Sequence, residues 1–434
     1  LAVIKMVDKP IFCAQAFGSV CINASGRYIP CCNVRMNEWD SEYRDGTEYS
    51  SIIDNANNSG LRRLRKELSD GIYPDVCKNC SEAEENGFES MRTIWNRELA
   101  DYDIPVTEVL HPENVYYLDT TFSTKCNSKC MTCNPSASDF WEKEHNYIWN
   151  TSFSVAKRVN IDDDKTTELI NTFPNVVRVS FVGGEPTISE EHLNYLQQLV
   201  DLGKSKDMKI SYVTNLTGIT DELLSLWKNF KSVHVAVSID GYEKVNEYIR
   251  YPFKWAKVDS TLRSLFERVQ NSIGATGTEF TAGLSCTVSL YNAIQCFDLF
   301  EYWFDLSTQY SVGGGQTLAT HGSVFVNYVT HPSYAMVGYL SPEYRNNGIV
   351  KGESLLRKIE DYRKENPMDH VNDGMINSIK LAIEWLKEPQ IHNTYDLTKL
   401  QHFINSSDKF RNRNIKDYIP ELHEELEKLW NTQT

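Results

Sequence analysis

The sequence predicts an α/β protein: a partial (β/α)6 barrel preceded by a cysteine-rich segment and followed by a mainly helical extension. Three observations predict it. From about residue 115, short β-branched runs alternate with stretches whose apolar residues recur at three- and four-residue steps, the pattern of strands joined by crossover helices. A chain of 434 residues can bury a barrel-sized core and still append one or two smaller pieces. Nine of the eleven cysteines fall before residue 134, so the N-terminal part has a chemistry of its own.

In chain order, strands are expected over 115–121, 176–182, 209–214, 233–239, 280–289 and 323–329. Helical periodicity lies between them, for example over 191–202 and 220–227. Right-handed crossovers would curl such a sheet into a full or partial barrel. The expected division is 1–111 for the cysteine-rich segment, 112–332 for the barrel and 333–434 for the extension, with helices over 375–386 and 419–430. Gly313, Gly314 and Gly315 lack the lysine and helix of a phosphate loop and read as a turn.

Composition excludes several classes. A formal net charge of -15 opposes long contacts with a phosphate backbone and disfavours nucleic acid as a partner. The basic run Arg62, Arg63, Arg65 and Lys66 reads as a solvated helix face. No long uncharged apolar run suggests a membrane span, and residues 1–11 lack the apolar core of a secretory signal. A cytoplasmic location is therefore expected. Without an export signal, an odd number of cysteines argues for metal or redox use over a disulfide framework. Cys286 and Cys296 stand apart from the others and read as buried apolar residues, as does Cys21 in its short strand.

In barrels of this kind functional groups gather on loops at the C-terminal ends of strands. Here Cys126-Asn-Ser-Lys-Cys130-Met-Thr-Cys133 follows the first strand, and Gly183-Gly184-Glu185-Pro186 follows the second. Thr214-Asn215 ends the third, and Ser238-Ile239-Asp240-Gly241 ends the fourth. Three thiols on one tight loop suit three corners of a cubane cluster, leaving one iron open to chelate a small molecule. A zinc site is the simpler alternative, but zinc sites usually pair C-x2-C with a second ligand pair and no nearby histidine supplies one.

The C-x3-C-x2-C loop followed by a Gly-Gly-Glu-Pro turn resembles the radical S-adenosylmethionine (SAM) superfamily over roughly residues 112 to 330. The resemblance implies a [4Fe-4S] cluster on Cys126, Cys130 and Cys133, with backbone around Gly183, Gly184 and Glu185 receiving the methionyl amino group. Ser238 and Arg250 match positions that contact the SAM carboxylate or ribose, and Asn215 lies on a neighbouring strand end. Two departures are visible: Thr132 stands where an aromatic residue is frequent, and Leu216 where Thr-Asn-Gly usually places glycine.

The N-terminal spacing, Cys13, Gly26, Cys31 and then Cys77-x2-Cys80, resembles the SPASM and twitch extensions of the same superfamily. That implies an auxiliary iron-sulfur cluster, expected to be [4Fe-4S], on Cys13, Cys31, Cys77 and Cys80, with Cys32 able to replace Cys31. Zinc remains the alternative for this second set. The implied activity is reductive cleavage of SAM to a 5'-deoxyadenosyl radical that abstracts hydrogen from a substrate, with a peptide or protein as first choice and a sugar or nucleotide derivative as second. A non-catalytic iron-sulfur or zinc scaffold that binds a protein is the reading from another class. A low-potential electron donor such as flavodoxin or ferredoxin is the implied partner. No catalytic acid, base or radical quencher is named by the sequence. His321 and His331 read as ordinary surface or core residues, and the tail around Asp408, Arg411 and Pro420 as a solvated helical cap.

Overall fold

A computed structural model describes residues 10–44, 46–47, 49–85, 87, 89–155, 159–272, 277–313, 316–318, 323–369 and 371–431. His321, Gly314 and Gly315 lie outside the described residues. The described strands are β1 (Ser19–Ile22), β2 (Tyr28–Ile29), β3 (Tyr117–Thr121), β4 (Lys129–Cys130), β5 (Arg178–Val182), β6 (Lys209–Thr214), β7 (Ser232–Ser238), β8 (Arg250–Tyr251), β9 (Glu279–Val288), β10 (Ser311–Gly313), β11 (Gln316–Thr317) and β12 (Ser323–Tyr328). Eight of them form one sheet in the order β12-β9-β7-β6-β5-β3-β1-β2. The six strands expected from the sequence are all in it. Parallel pairing is seen for β12 with β9, β7 with β9, β3 with β5 and β1 with β3, while β2 folds back antiparallel on β1.

The alternation that predicts these strands is visible in their burial. On β5, Val179 and Phe181 are buried while Arg178, Ser180 and Val182 are only partly covered. On β7, Val233, Val235 and Val237 take the buried side. Strict two-residue alternation places such side chains on one face, where crossover helices cover them. Those helices begin where their caps stand. Ser189 accepts from the His192 N–H to start Glu190–Asp201, and Thr220 accepts from the Leu223 N–H to start Asp221–Trp227.

The chain divides into two compact units. The first comprises Leu1–Thr124, Lys157–Ser211 and Asn229–Lys231, and the second Lys125–Ala156, Tyr212–Lys228 and Ser232–Thr434. In the first, a core of Phe17, Trp39, Leu61, Leu64, Trp95 and Tyr117 joins the N-terminal helices to β3. Fully burying one such aliphatic or aromatic side chain contributes roughly 1.5–3 kcal/mol. The basic run of the sequence lies on the helix Ser59–Ser69, and one member departs from the expected solvated face. Arg65 is buried, its guanidinium donating to the carbonyls of Ala16 and Ala56 and to the Asn57 side chain. A buried guanidinium persists only when its donors are used, and here backbone carbonyls take them. The second unit is centred on Trp141, Trp227, Phe266 and Trp303, with Cys286 and Cys296 buried in it as expected.

Candidate functional site

The three-cysteine loop is fixed from several directions within the second unit. Cys130 lies on β4, which pairs antiparallel with β8 so that Cys130 faces Arg250 in register. The Met131 N–H donates to the Ile249 carbonyl at 2.9 Å, and the Trp141 indole donates to the Cys130 carbonyl at 3.1 Å. The Cys126 N–H donates to Asp139 at 3.1 Å, and the Cys133 N–H turns back to the Cys130 carbonyl at 3.0 Å. The Ser128 hydroxyl sits 3.6 Å from the Cys126 sulfur and 3.4 Å from the Cys130 sulfur, so both thiols reach one small space. Burial pushes the Cys133 thiol up to about 12, with Cys130 adding to the shift, and burial also raises Cys130 against the opposing charge of Arg250.

Two further predicted residues join this loop. The Asn215 amide donates to the Asn127 side chain at 3.0 Å, and Asn127 donates in turn to Thr217 at 2.7 Å. Leu216, standing where glycine was expected, takes a φ of +67°. That left-handed conformation costs a non-glycine residue roughly 1–2 kcal/mol, so the usual turn shape is kept here at the expense of strain. Arg250 reaches Cys130 itself: its Nη1 lies 3.7 Å from the sulfur. The same guanidinium pairs through Nε with Asp240 at 2.8 Å. Asp240 is fully buried, its carboxylate accepting from the Thr287 N–H and its carbonyl from the Asn292 side chain. Burial opposes the charge on Arg250, but Asp240 and then Cys130 outweigh it and raise its pKa. Ser238 closes β7 half-buried, in register with Ser285. His331 is exposed.

The tail expected to be a solvated cap is instead part of this site. Arg411 has a fully buried side chain, as does its partner Glu144 at 2.7 Å. Its Nη2 donates to the Lys129 carbonyl at 2.8 Å and its Nη1 meets the Met131 sulfur at 3.3 Å. Arg413 donates to the Tyr248 carbonyl at 2.6 Å and also touches the Met131 sulfur. The chain end of the helix Thr394–Arg411 therefore holds the backbone between Cys126 and Cys133 from behind.

In the first unit, Gly183 and Gly184 leave β5 with φ of +79° and +47°. A Cβ on Gly183 would lie 2.3 Å from the Thr121 Cγ2 atom of β3, so this glycine is demanded by packing as well as by conformation. Gly203, at φ +69° with nothing within 4 Å, carries the conformational cost alone. Gly183→Ala is therefore expected to lose about 1–3 kcal/mol in urea unfolding and Gly203→Ala measurably less. Glu185 is buried and turns its carboxylate back on Thr187, accepting from its N–H at 3.1 Å and its hydroxyl at 2.6 Å.

The same unit brings Cys13, Cys31, Cys77 and Cys80 onto one cavity, together with Tyr73 and Arg92. Cys13 precedes the helix Ala14–Gly18, and Cys80 lies in the first turn of Lys78–Glu85, where the Asn33 amide meets its sulfur at 3.5 Å. Burial pushes the Cys13 thiol up to about 11, with Cys80 among the smaller causes. Cys31 is raised by burial, then by Cys32, Cys13 and Cys77. Cys32, unlike Cys31, is exposed. Cys21 is in register with Asp119, and of the Cys31-Cys32 pair it is Cys31 that lines the cavity. Among the described residues no three His, Cys, Asp or Glu side chains converge as ligands of a single ion.

Residues 120–278 match the model of the Radical SAM superfamily. No curated protein matches the chain. Among solved structures the chain is similar to Streptococcus suis SuiB bound to its precursor peptide SuiA, at 17% identity over 71% of this chain and 58% of that one, with a TM-score of 0.36. It is similar also to Streptococcus suis SuiB bound to S-adenosylmethionine, at 14% identity over 70% and 62%, with a TM-score of 0.32. The chain thus spans less than two thirds of the length of either.

Proposed function

We propose that this chain, whose residues 120–278 match the Radical SAM superfamily, reductively cleaves SAM and uses the resulting radical to take hydrogen from a peptide or protein. One observation carries the reading: three thiols of a single backbone-pinned turn, two of them within 3.6 Å of one serine hydroxyl, lie inside the matched segment. The donor set fits a cluster with one iron left open. When bound, the cluster and SAM supply the low-potential electron and the radical.

Cys126, Cys130 and Cys133 hold the metal, and the backbone of Gly183, Gly184 and Glu185 is assigned to the methionyl amino group. Asn215 and Ser238 complete the polar lining, and Arg250 stands beside the ligand Cys130. Cys13, Cys31, Cys77 and Cys80 fit a second, fully ligated cluster, because all four line one cavity that Cys32 does not line. A closed second cluster serves electron transfer or structure, and extensions of this kind accompany peptide modification, which favours a peptide over a sugar or nucleotide derivative. The boundaries 1–111, 112–332 and 333–434 follow the same division of labour. A cytoplasmic setting with a flavodoxin or ferredoxin as donor suits oxygen-sensitive clusters, and no helix among the described residues is long and apolar enough to cross a membrane.

Anaerobic reconstitution of the full chain tests this. A SAM-induced change in the reduced EPR signal, and 5'-deoxyadenosine formed with dithionite, are expected. A reconstituted protein that binds iron but shows neither belongs to the scaffold class instead.

A further inference from the structure

Arg250 was expected from its sequence position to meet SAM, yet its side chain is already engaged. It lies 3.7 Å from the sulfur of Cys130 and is anchored 2.8 Å from Asp240. Neither partner is incidental. The register of β4 and β8 sets Cys130 and Arg250 opposite one another, and Asp240 is itself held by the Thr287 N–H at 2.8 Å. The guanidinium side chain is 13% exposed and that of Asp240 1%, so water screens this charge pair weakly.

We propose that the Arg250-Asp240 pair sets the reduction potential of the cluster that Cys130 ligates, Arg250 raising it and Asp240 restraining the rise. The proposal rests on the iron-sulfur assignment above and adds a role to residues of that site. A one-electron reduction adds negative charge to a cluster. A donor hydrogen-bonded to a ligand sulfur and carrying positive charge stabilises the reduced form more than the oxidised one. The Asp240 carboxylate beyond it subtracts part of that effect. An enzyme working against a cellular donor needs such a balance, since the cluster must be reducible yet remain a strong reductant.

The opposed signs separate tuning from mere packing. Anaerobic redox titration of the reconstituted full chain, followed through the EPR signal that responds to SAM, is carried out for wild type, Arg250→Gln, Arg250→Lys and Asp240→Asn. SAM affinity is measured on each. Arg250→Gln is expected to lower the reduced fraction at fixed poise roughly tenfold, a shift of about 59 mV to more negative potential for one electron. Asp240→Asn, which keeps an acceptor for Thr287, is expected to shift it the other way, and Arg250→Lys to fall between wild type and Arg250→Gln. Should Arg250→Gln fail to fold, Arg250→Lys and Asp240→Asn still carry opposite expected signs. Unchanged potentials with weakened SAM binding would make Arg250 a SAM ligand only and overturn the proposal. Shifts of one sign in both Arg250→Lys and Asp240→Asn would reduce the pair to packing and overturn it equally. A wild-type chain with no SAM-responsive signal fails at the earlier step, and the function and this inference fall together.

Discussion

Cys126→Ala is expected to abolish SAM cleavage, leaving 5'-deoxyadenosine at the level of a protein-free control. The loop offers three thiols, and a cluster that loses one of its three protein ligands is left with two. Loss of an outer-shell partner at a metal site typically costs roughly 10–100-fold, so loss of a direct ligand should exceed that range. The Cys126 backbone is held by Asp139 through its N–H, which alanine preserves, so the turn should persist while the metal goes. Iron content and the SAM-responsive EPR signal should fall together in the variant. Cys286→Ala, a buried cysteine outside the loop, provides the contrast and should keep both. Full cleavage activity in Cys126→Ala would remove the site assignment altogether.

Arg411→Ala should be among the most destabilising single changes in the chain, at about 3–5 kcal/mol. The substitution takes from Glu144, whose side chain is fully buried, its nearer cation at 2.7 Å and leaves it Lys129 at 3.4 Å and the Ser407 hydroxyl. It also frees the Lys129 carbonyl, which accepts from the same guanidinium. Burial already depresses the Arg411 pKa, with Arg413 adding to the effect, so the charge is held at some energetic expense. Replacing both partners with apolar residues, Arg411→Met with Glu144→Leu, should recover part of the loss, the remainder falling on Lys129, which then loses the Glu144 carboxylate at 3.4 Å. The exposed pair Lys66 and Asp70 supplies a control expected within about 1 kcal/mol. The check is the urea midpoint of each variant, and a loss below 1 kcal/mol for Arg411→Ala would contradict the buried-pair account.

Much of the sheet was legible because its strands are regular. The run over 209–214 is matched by β6 residue for residue, and β7 and β9 shift by a single position. Their alternating burial is a local property that a sequence displays directly. β1 was legible as a strand at Cys21 but not as a member of the main sheet. Its four residues are all buried, so no alternation marks a face, and its partner lies almost a hundred residues away. The same distance problem hid the tail. Arg411 reads as a charge on an exposed helix until Glu144, 267 residues earlier, is brought beside it. The spacing groups the cysteines in the sequence, whereas the direction each thiol faces is not legible there. Cys31 and Cys32 are adjacent, so spacing cannot tell which of them lines the cavity with Cys13, Cys77 and Cys80; Cys31 does.

The parallel pairing of β1 with β3 bears on how the polypeptide can be cut. Ser19 to Ile22 bond Tyr117 to Thr120 along the whole strand, so the cysteine-rich segment supplies the neighbour that covers one side of β3. A shortened chain beginning at residue 112 would present that side as an open row of unpaired amides and carbonyls. Edges of this kind recruit strands from other molecules, and the shortened chain should therefore precipitate or self-associate at concentrations where the whole one stays dispersed. The N-terminal segment thus acts as a guard against aggregation, whatever its cysteines hold.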